Sequence, residues 1–315
     1  MQSVSQLGLG TLPLSGAYGS VGEGVAQRVV SRAIDLGATL IDTADAYGEG
    51  LAEQLIGRAI VGRHHEVEVA TKVGLVDGGR GGVRNDRVYL RAAVAASKAR
   101  LGVERIDLLF LHRIDRKIPI EETVGILGEF VQEGIVARIG LSEVTSIELQ
   151  RALAVHPIAA VQSEWSVWSR DVERRIVPMC ARTDVIFVSS SPLGRGFLSG
   201  RTTAPLNGDR RSGVPRLSND HRSLNIPIAH ELARLAKRER MSPAQVALVW
   251  LRETGRRAGV DLLPIPGARS VAHVEENLAS LDCTMTIETL EALDGVAHKA
   301  SGNRGNPDWL SFGHE

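Results

Sequence analysis

Cysteine is nearly absent from this chain. The two that occur in 315 residues, Cys180 and Cys283, stand far apart and belong to no metal-binding or redox spacing. They read as two reduced, buried thiols, which excludes a disulfide framework and a thiolate metal centre. Net charge is lacking as well, with 37 basic residues against 37 acidic ones. Neither nucleic acid nor an anionic membrane surface is expected as a partner. No apolar run is long enough to span a bilayer, and no basic segment followed by an apolar core opens the chain. A cytoplasmic location is expected. What remains is an ordinary globular balance, 43% hydrophobic and 23% charged, with material for a full core.

The chain alternates short β-prone runs with helical stripes. Residues 1–14 read as a short N-terminal strand pair, its second strand at Leu7–Thr11, where Gly8 and Gly10 suggest close backbone approach. Gly16 to Gly24 is a glycine-rich loop. Helical patterns follow at 25–36, 51–60, 86–101, 119–132, 145–154 and 171–181, interleaved with strands at 39–44, 67–73, 106–111, 136–141, 158–162 and 185–189. Thr145 and Glu148 form a capping-box pattern. Gly78 to Gly82 reads as a mobile loop and 194–226 as a long irregular one. Helices at 228–239 and 243–254, a strand at 262–265, and helices at 271–281 and 287–297 complete the pattern, and the tail from Ser301 reads as loosely held. If Leu7–Thr11 feeds the helix at 25, there are eight βα repeats. They predict one α/β domain over 1–315, a (β/α)8 barrel with an N-terminal β-hairpin and extra C-terminal helices. A doubly wound open sheet is the alternative.

Chemistry in such a barrel sits at the strands' carboxyl ends. Three successive strands end there in titratable residues: Asp42 with Tyr47, Lys72, and His112. A phenol titrates near pH 10 and is a poor acid at pH 7 unless helped. An adjacent ammonium favours the phenolate, and a carboxylate holds the ammonium in place. Asp42, Lys72 and Tyr47 therefore suit proton donation to an oxygen gaining negative charge, with His112 orienting it. No member is a strong nucleophile and no metal cage is present, so the fitting reaction is carbonyl reduction with hydride from a cofactor.

These residues resemble the aldo-keto reductase family nearly end to end. The resemblance is carried by Gly8 to Thr11, Ile41 to Gly48, Ala70 to Lys72, Leu111 to Arg113, Gly140 to Glu143, Val161 to Ser166, Ser191 to Gly196, and Pro266-Gly267. Within it, His112 to Asp115 and Pro119 to Thr123 resemble the branch of pyridoxal reductases and natural-product ketone reductases. The resemblance implies a catalytic set of Asp42, Tyr47, Lys72 and His112, and NADPH bound at the barrel mouth without a Rossmann domain. No G-x-G-x-x-G stands on a strand-to-helix turn here, which agrees. It places Gly10, Thr11, Ser142, Gln162, Ser191, Leu193, Gly194, Gly196, Gly267, Arg269, His273, Glu276 and Asn277 at the cofactor. Trp165, where the family usually has Tyr, is expected to stack on the nicotinamide. Arg269 suits a 2′-phosphate. His273 stands where Arg is usual and is expected to be partly charged, so NADPH is expected over NADH by a smaller margin than usual, with NADH admitted. Tyr18, Tyr47, His112, Arg113, Trp165, Trp168 and the 194–226 loop are candidate walls for a small carbonyl substrate. Two other functions fit the same sequence: a cofactor-binding redox sensor, such as the potassium-channel β-subunits resemble, and a barrel hydrolase or isomerase acting on a phosphorylated substrate with Asp42 and Lys72. The substrate itself and the oligomeric state are not readable from the chain.

Overall fold

The computed structural model describes residues 6–76, 82–206, 208–305, 310 and 314. Its central sheet has eight parallel strands in chain order: β1 (Leu9–Gly10), β2 (Leu40–Asp42), β3 (Glu68–Val73), β4 (Ile106–Leu111), β5 (Val136–Ser142), β6 (Ala160–Glu164), β7 (Ile186–Ser190) and β8 (Leu262–Pro264). The sheet closes on itself. Gly8 N–H donates to the Pro264 carbonyl at 2.9 Å and Gly10 N–H to the Pro266 carbonyl at 3.1 Å, with a further parallel bridge between Gly10 and Gly267. The first βα repeat is thus the one that opens at Leu7–Thr11. Its would-be hairpin partner, 1–5, lies outside the described residues, as does 77–81, which holds most of the loop expected at Gly78 to Gly82; Gly82 pairs in a small antiparallel ribbon, Leu75–Val76 with Gly82–Val83.

Helices α1 (Glu23–Asp35), α2 (Leu51–Ala59), α3 (Arg87–Leu101), α4 (Ile120–Gln132), α5 (Ser146–Leu153) and α6 (Ile176–Thr183) each connect one strand to the next. Helices α7 (Asn219–Glu239) and α8 (Pro243–Ala258) lie between β7 and β8, and α9 (Val271–Leu278) and α10 (Ile287–Asp294) follow β8. Local chemistry sets the ends. Thr145 and Glu148 complete the capping box of α5, Asp86 caps α3 through the Tyr89 amide, and Gly102 closes α3 in the left-handed region.

Strand alternation sorts side chains into two cores. Leu40, Ala70, Leu108, Phe110, Ala160, Val188, Leu263 and Ile265 fill the barrel interior. Ile41, Val69, Leu109, Leu111, Ile139, Val161 and Phe187 point outward against the helices. Two residues on from the inner set, at the carboxyl ends, come Asp42, Lys72, His112, Gln162 and Ser190. The interior register therefore delivers the polar groups.

Two sequence expectations change. Helix α7 begins at Asn219, nine residues before the expected 228, and carries Pro227 inside it. A proline so placed usually ends a helix, but the buried Asn225 anchors this turn, its amide donating to the carbonyls of Arg216 and Ser301. The tail is also not loose throughout. Ser301 N–H bonds the Asn225 side chain, and Arg304 is only 3% exposed. No helix among the described residues is long and apolar enough to cross a membrane.

Candidate active site

Lys72 is buried at the carboxyl end of β3. Its Nζ lies 2.6 Å from Asp42 Oδ2, 2.8 Å from the Thr43 carbonyl and 3.3 Å from Tyr47 Oη. Burial opposes the charge, but Asp42 and then Tyr47 outweigh it and raise the Lys72 pKa above its ordinary value. The ammonium is thus the fixed cation of the site. Gln162 Nε2 donates to Asp42 Oδ1 at 2.7 Å, so both carboxylate oxygens are held. Because a carboxylate only accepts, this bond fixes the Gln162 amide with its own oxygen still available. His112 meets the Tyr47 ring edge-on, with centroids 5.9 Å apart. Burial, then the charges of Arg113, Lys72 and Arg210, push its pKa well below the ordinary histidine value. It is a neutral imidazole and its buried Nδ1 has no partner.

A long cleft opens from this group. Gly10, Thr11, Leu12, Pro13, Tyr18, Asp42, Tyr47 and Gln162 line one arm, and Ser190, Ser191, Leu193, Arg195 and Gly196 its flank. Arg201, Gly267, Arg269, His273, Glu276 and Asn277 line the far arm. The flank is strained: Ser191 and Arg195 hold φ of 49° and 57°, and Gly194 and Gly196 on either side of Arg195 are also at positive φ. Left-handed backbone at non-glycine residues is costly and clusters at binding sites.

The sequence match decides what this arrangement is related to: the Aldo/keto reductase family profile covers residues 6–298. The chain belongs to the aldo/keto reductase family. A curated relative, "Probable aldo-keto reductase 1" of Glycine max, is 38% identical over 297 residues, covering 92% of this chain and 84% of the relative. Among solved structures, the glycerol dehydrogenase of Gluconobacter oxydans matches with a TM-score of 0.83 at 26% identity, over 98% of this chain and 95% of that one. An aldo/keto reductase of Klebsiella pneumoniae, solved with NADP and acetate, matches with a TM-score of 0.72 at 27% identity, over 96% and 95%.

This aldo/keto reductase brings Asp42, Tyr47, Lys72 and His112 together, and most of the expected cofactor residues line the cleft. Several do not. Trp165 is fully buried; its Nε1 donates to Glu173 at 2.8 Å and its ring packs edge-on against Phe187. Strand register is the reason. Gln162 and Glu164 point inward, so Trp165 falls on the helix side and cannot stack in the cleft. Trp168 is a floor rather than a wall: it stacks on Phe197 at 4.9 Å beneath Gly194, with Arg216 over its other side. Gly194 packs there and does not line the cleft. Ser142, 4% exposed, takes a hydrogen bond from Arg113 at 3.3 Å and lies behind the cleft surface. His273 accepts from Arg201 through Nε2 at 2.5 Å, and burial followed by Arg201 lowers its pKa, so it is neutral rather than partly charged. Sequence reasoning missed Leu12, Pro13 and Ser190 individually, and Arg201 and Arg211 within the 194–226 loop. Ser190 was readable from the register of Val188; Arg201 lies in irregular chain and Arg211 in a short 3-10 helix (Arg210–Gly213), neither with a periodic signal.

Proposed function

We propose that this chain is an NADPH-dependent reductase of an aldehyde or ketone, with Tyr47 as the proton donor. The observation that carries the reading is the Lys72 ammonium held between Asp42 and the Tyr47 oxygen at the head of the cleft. NADPH, when bound, supplies a hydride to the carbonyl carbon. Tyr47 gives its proton to the carbonyl oxygen as negative charge develops there. Lys72 stabilises the phenolate left behind, and Asp42, itself held by Gln162, keeps Lys72 in place. His112, being neutral, orients the oxygen by a hydrogen bond without a competing charge.

The cleft suits a dinucleotide in an observable way. Gly10 and Gly267 line it, and a Cβ at Gly10 would come within 2.8 Å of the Ile265 carbonyl, so this wall admits only bare backbone. At the far arm Arg269 donates to the carbonyls of Gly19 and Ser20, while its buried Nε has no partner. An orphaned guanidinium N–H beside Arg201 suits a 2′-phosphate. Gln162, Ser191, Leu193, Gly196, Glu276 and Asn277 would hold the rest. The intact lysine–phenol contact favours catalysis over a purely regulatory role.

Tyr47→Phe is expected to lower kcat about 10²- to 10⁴-fold while NADPH still quenches tryptophan fluorescence. Retained turnover in that variant would remove Tyr47 as the donor. Steady-state kinetics with both nicotinamides should favour NADPH; a preference for NADH would overturn the reading of Arg269.

A further inference from the structure

Asp42 is held from three sides. Lys72 Nζ donates to its Oδ2 at 2.6 Å. Thr11 bonds its backbone carbonyl through N–H at 3.0 Å and Oγ1 at 2.8 Å. Gln162 Nε2 donates to its Oδ1 at 2.7 Å. Lys72 stands on β3, which pairs with β2, and Thr11 directly follows β1, which pairs with β2 on the other edge. Gln162 comes from β6. In a ring of eight strands closed between β8 and β1, β2 and β6 stand opposite one another, four strands apart either way round. The Gln162 amide therefore crosses the barrel mouth to reach Asp42, tying residues 120 positions apart.

This tie is the floor of the cleft. Leu40 and Ala160 lie one inner position below its two ends, in the apolar filling of the barrel. Gln162 and Asp42 both line the cleft, yet they are only 3% and 2% exposed. In such surroundings a hydrogen bond to a carboxylate is strong, and a carboxylate oxygen left without its donor is costly. The consequence reaches Tyr47. With Oδ1 taken by Gln162, Asp42 offers Lys72 only Oδ2. Without the Gln162 N–H, the carboxylate can turn and take the ammonium with both oxygens. The contact from Lys72 Nζ to Tyr47 Oη, at 3.3 Å the longest of the three that Nζ makes, is the one that then lengthens. A phenol that has lost its ammonium is a poorer proton donor.

We propose that Gln162, expected only at the cofactor, is also a positioning residue for proton transfer: its amide N–H sets the orientation of Asp42 and, through it, the place of Lys72 against Tyr47. The inference rests on the reductase reading and extends its proton step to a residue from the far side of the barrel. The amide oxygen stays free for the cofactor, so the two tasks fall on different atoms.

The test compares Gln162→Met and Gln162→Glu with the wild type, using 4-nitrobenzaldehyde and 2,3-butanedione as carbonyl probes. NADPH dissociation constants are read from tryptophan-fluorescence quenching, and kcat is measured at saturating NADPH. Gln162→Met keeps the length of the side chain and removes the donor. Its kcat is expected to fall about tenfold to a hundredfold, the effect of a displaced catalytic group. Gln162→Glu puts a second carboxyl group against Asp42, and two carboxyl groups so close hold one proton between them. While that proton is held, an O–H replaces the amide N–H and the pair carries the same single negative charge as Asp42 does now. Protonated or not, the new group keeps an oxygen for the cofactor, so only the tie to Asp42 responds to pH. The other titratable groups at this end of the cleft are Lys72, Tyr47 and the neutral His112, and measuring the wild type at each pH cancels their contributions. Relative to the wild type, kcat of Gln162→Glu is expected to be within about threefold at about pH 5.5 and to fall at least about tenfold further by about pH 9. Should Gln162→Met fail to fold, this ratio decides alone. A raised NADPH dissociation constant in Gln162→Met with kcat unchanged at saturation, or a Gln162→Glu ratio that is flat with pH, overturns the tie and leaves the reductase standing. Turnover of neither probe by the wild type, with NADPH bound, overturns the reductase reading and this inference with it.

Discussion

Three residues after Asp42, a second carboxyl group meets different surroundings. Asp45 is half-buried, its Oδ1 has no partner, and it faces Glu53, which is buried and already committed to Thr71 and Arg100. Burial, then the Glu53 charge, raise its pKa from 3.8 to about 7. The folded protein therefore holds this proton more tightly than the unfolded chain does. By linkage, Asp45 costs stability as pH rises from about 4 to about 7, and the cost is constant above that. Asp45→Asn carries no such penalty. It is expected to unfold at higher temperature than the wild type at pH 8, by up to about 4 kcal/mol, with the difference vanishing near pH 4. Thermal melts of both proteins across that range would check it; a gap that grows towards acid would contradict the assignment.

At the scale of elements, the turn after β5 is held from a distance. Glu143 sits in the left-handed region at φ 53°, bonds the Glu164 amide at 3.2 Å, and pairs with Arg304 from the far end of the chain. Burial pushes its carboxyl up, but Arg304, with help from Arg113, outweighs that and lowers the pKa to about 2. Glu143→Gln takes from the buried Arg304 the carboxylate that both its terminal nitrogens grip, while Asp171 stays paired with it. Breaking a buried pair costs about 3–5 kcal/mol, less where a second partner remains, so a loss of about 2–4 kcal/mol at pH 7 is expected. Here the folded pKa is depressed. The stabilisation is complete above about pH 4 and fades as pH falls towards 2, so urea midpoints of variant and wild type should converge in acid. The short-range parts of this region were legible: strand β5 and the Thr145 cap. The Arg304 partner was not, because an ion pair across 161 positions leaves no periodic trace. The opposite lesson comes from Trp165. Its outward position follows from the two-residue alternation that put Gln162 inside, and family likeness had overridden that register.

Across the whole molecule, each βα repeat carries its own hydrophobic period, which is why the order of strands and helices could be read. The polar ends of the inner register, Asp42, Lys72, His112 and Gln162, could be read for the same reason. Where the first strand meets the last is a different matter, since the pairing of Gly8 with Pro264, at the end of β8, and of Gly10 with the segment just after it depends on curvature accumulated over all eight strands. Glycine marks that seam. A Cβ at Gly8 would lie 2.8 Å from the Leu40 carbonyl, and one at Gly10 2.8 Å from the Ile265 carbonyl, both backbone atoms that cannot step aside. Gly10→Ala should therefore spread the seam, costing about 1–3 kcal/mol as overpacking does, and should weaken NADPH binding, because Gly10, Thr11 and Gly267 line the cleft and Thr11 Oγ1 ties the seam to the Asp42 carbonyl at 2.8 Å. Gly125 inside α4 offers the contrast: nothing lies within 4 Å of a Cβ there. Gly125→Ala is expected to stabilise the protein by up to about 1 kcal/mol through helix propensity and to leave the NADPH dissociation constant where it was. Measuring unfolding and NADPH fluorescence titration on the two variants separates seam geometry from a general intolerance of added methyl groups. Loss of affinity in Gly125→Ala as large as in Gly10→Ala would mean that the cleft depends on overall stability rather than on how the barrel closes.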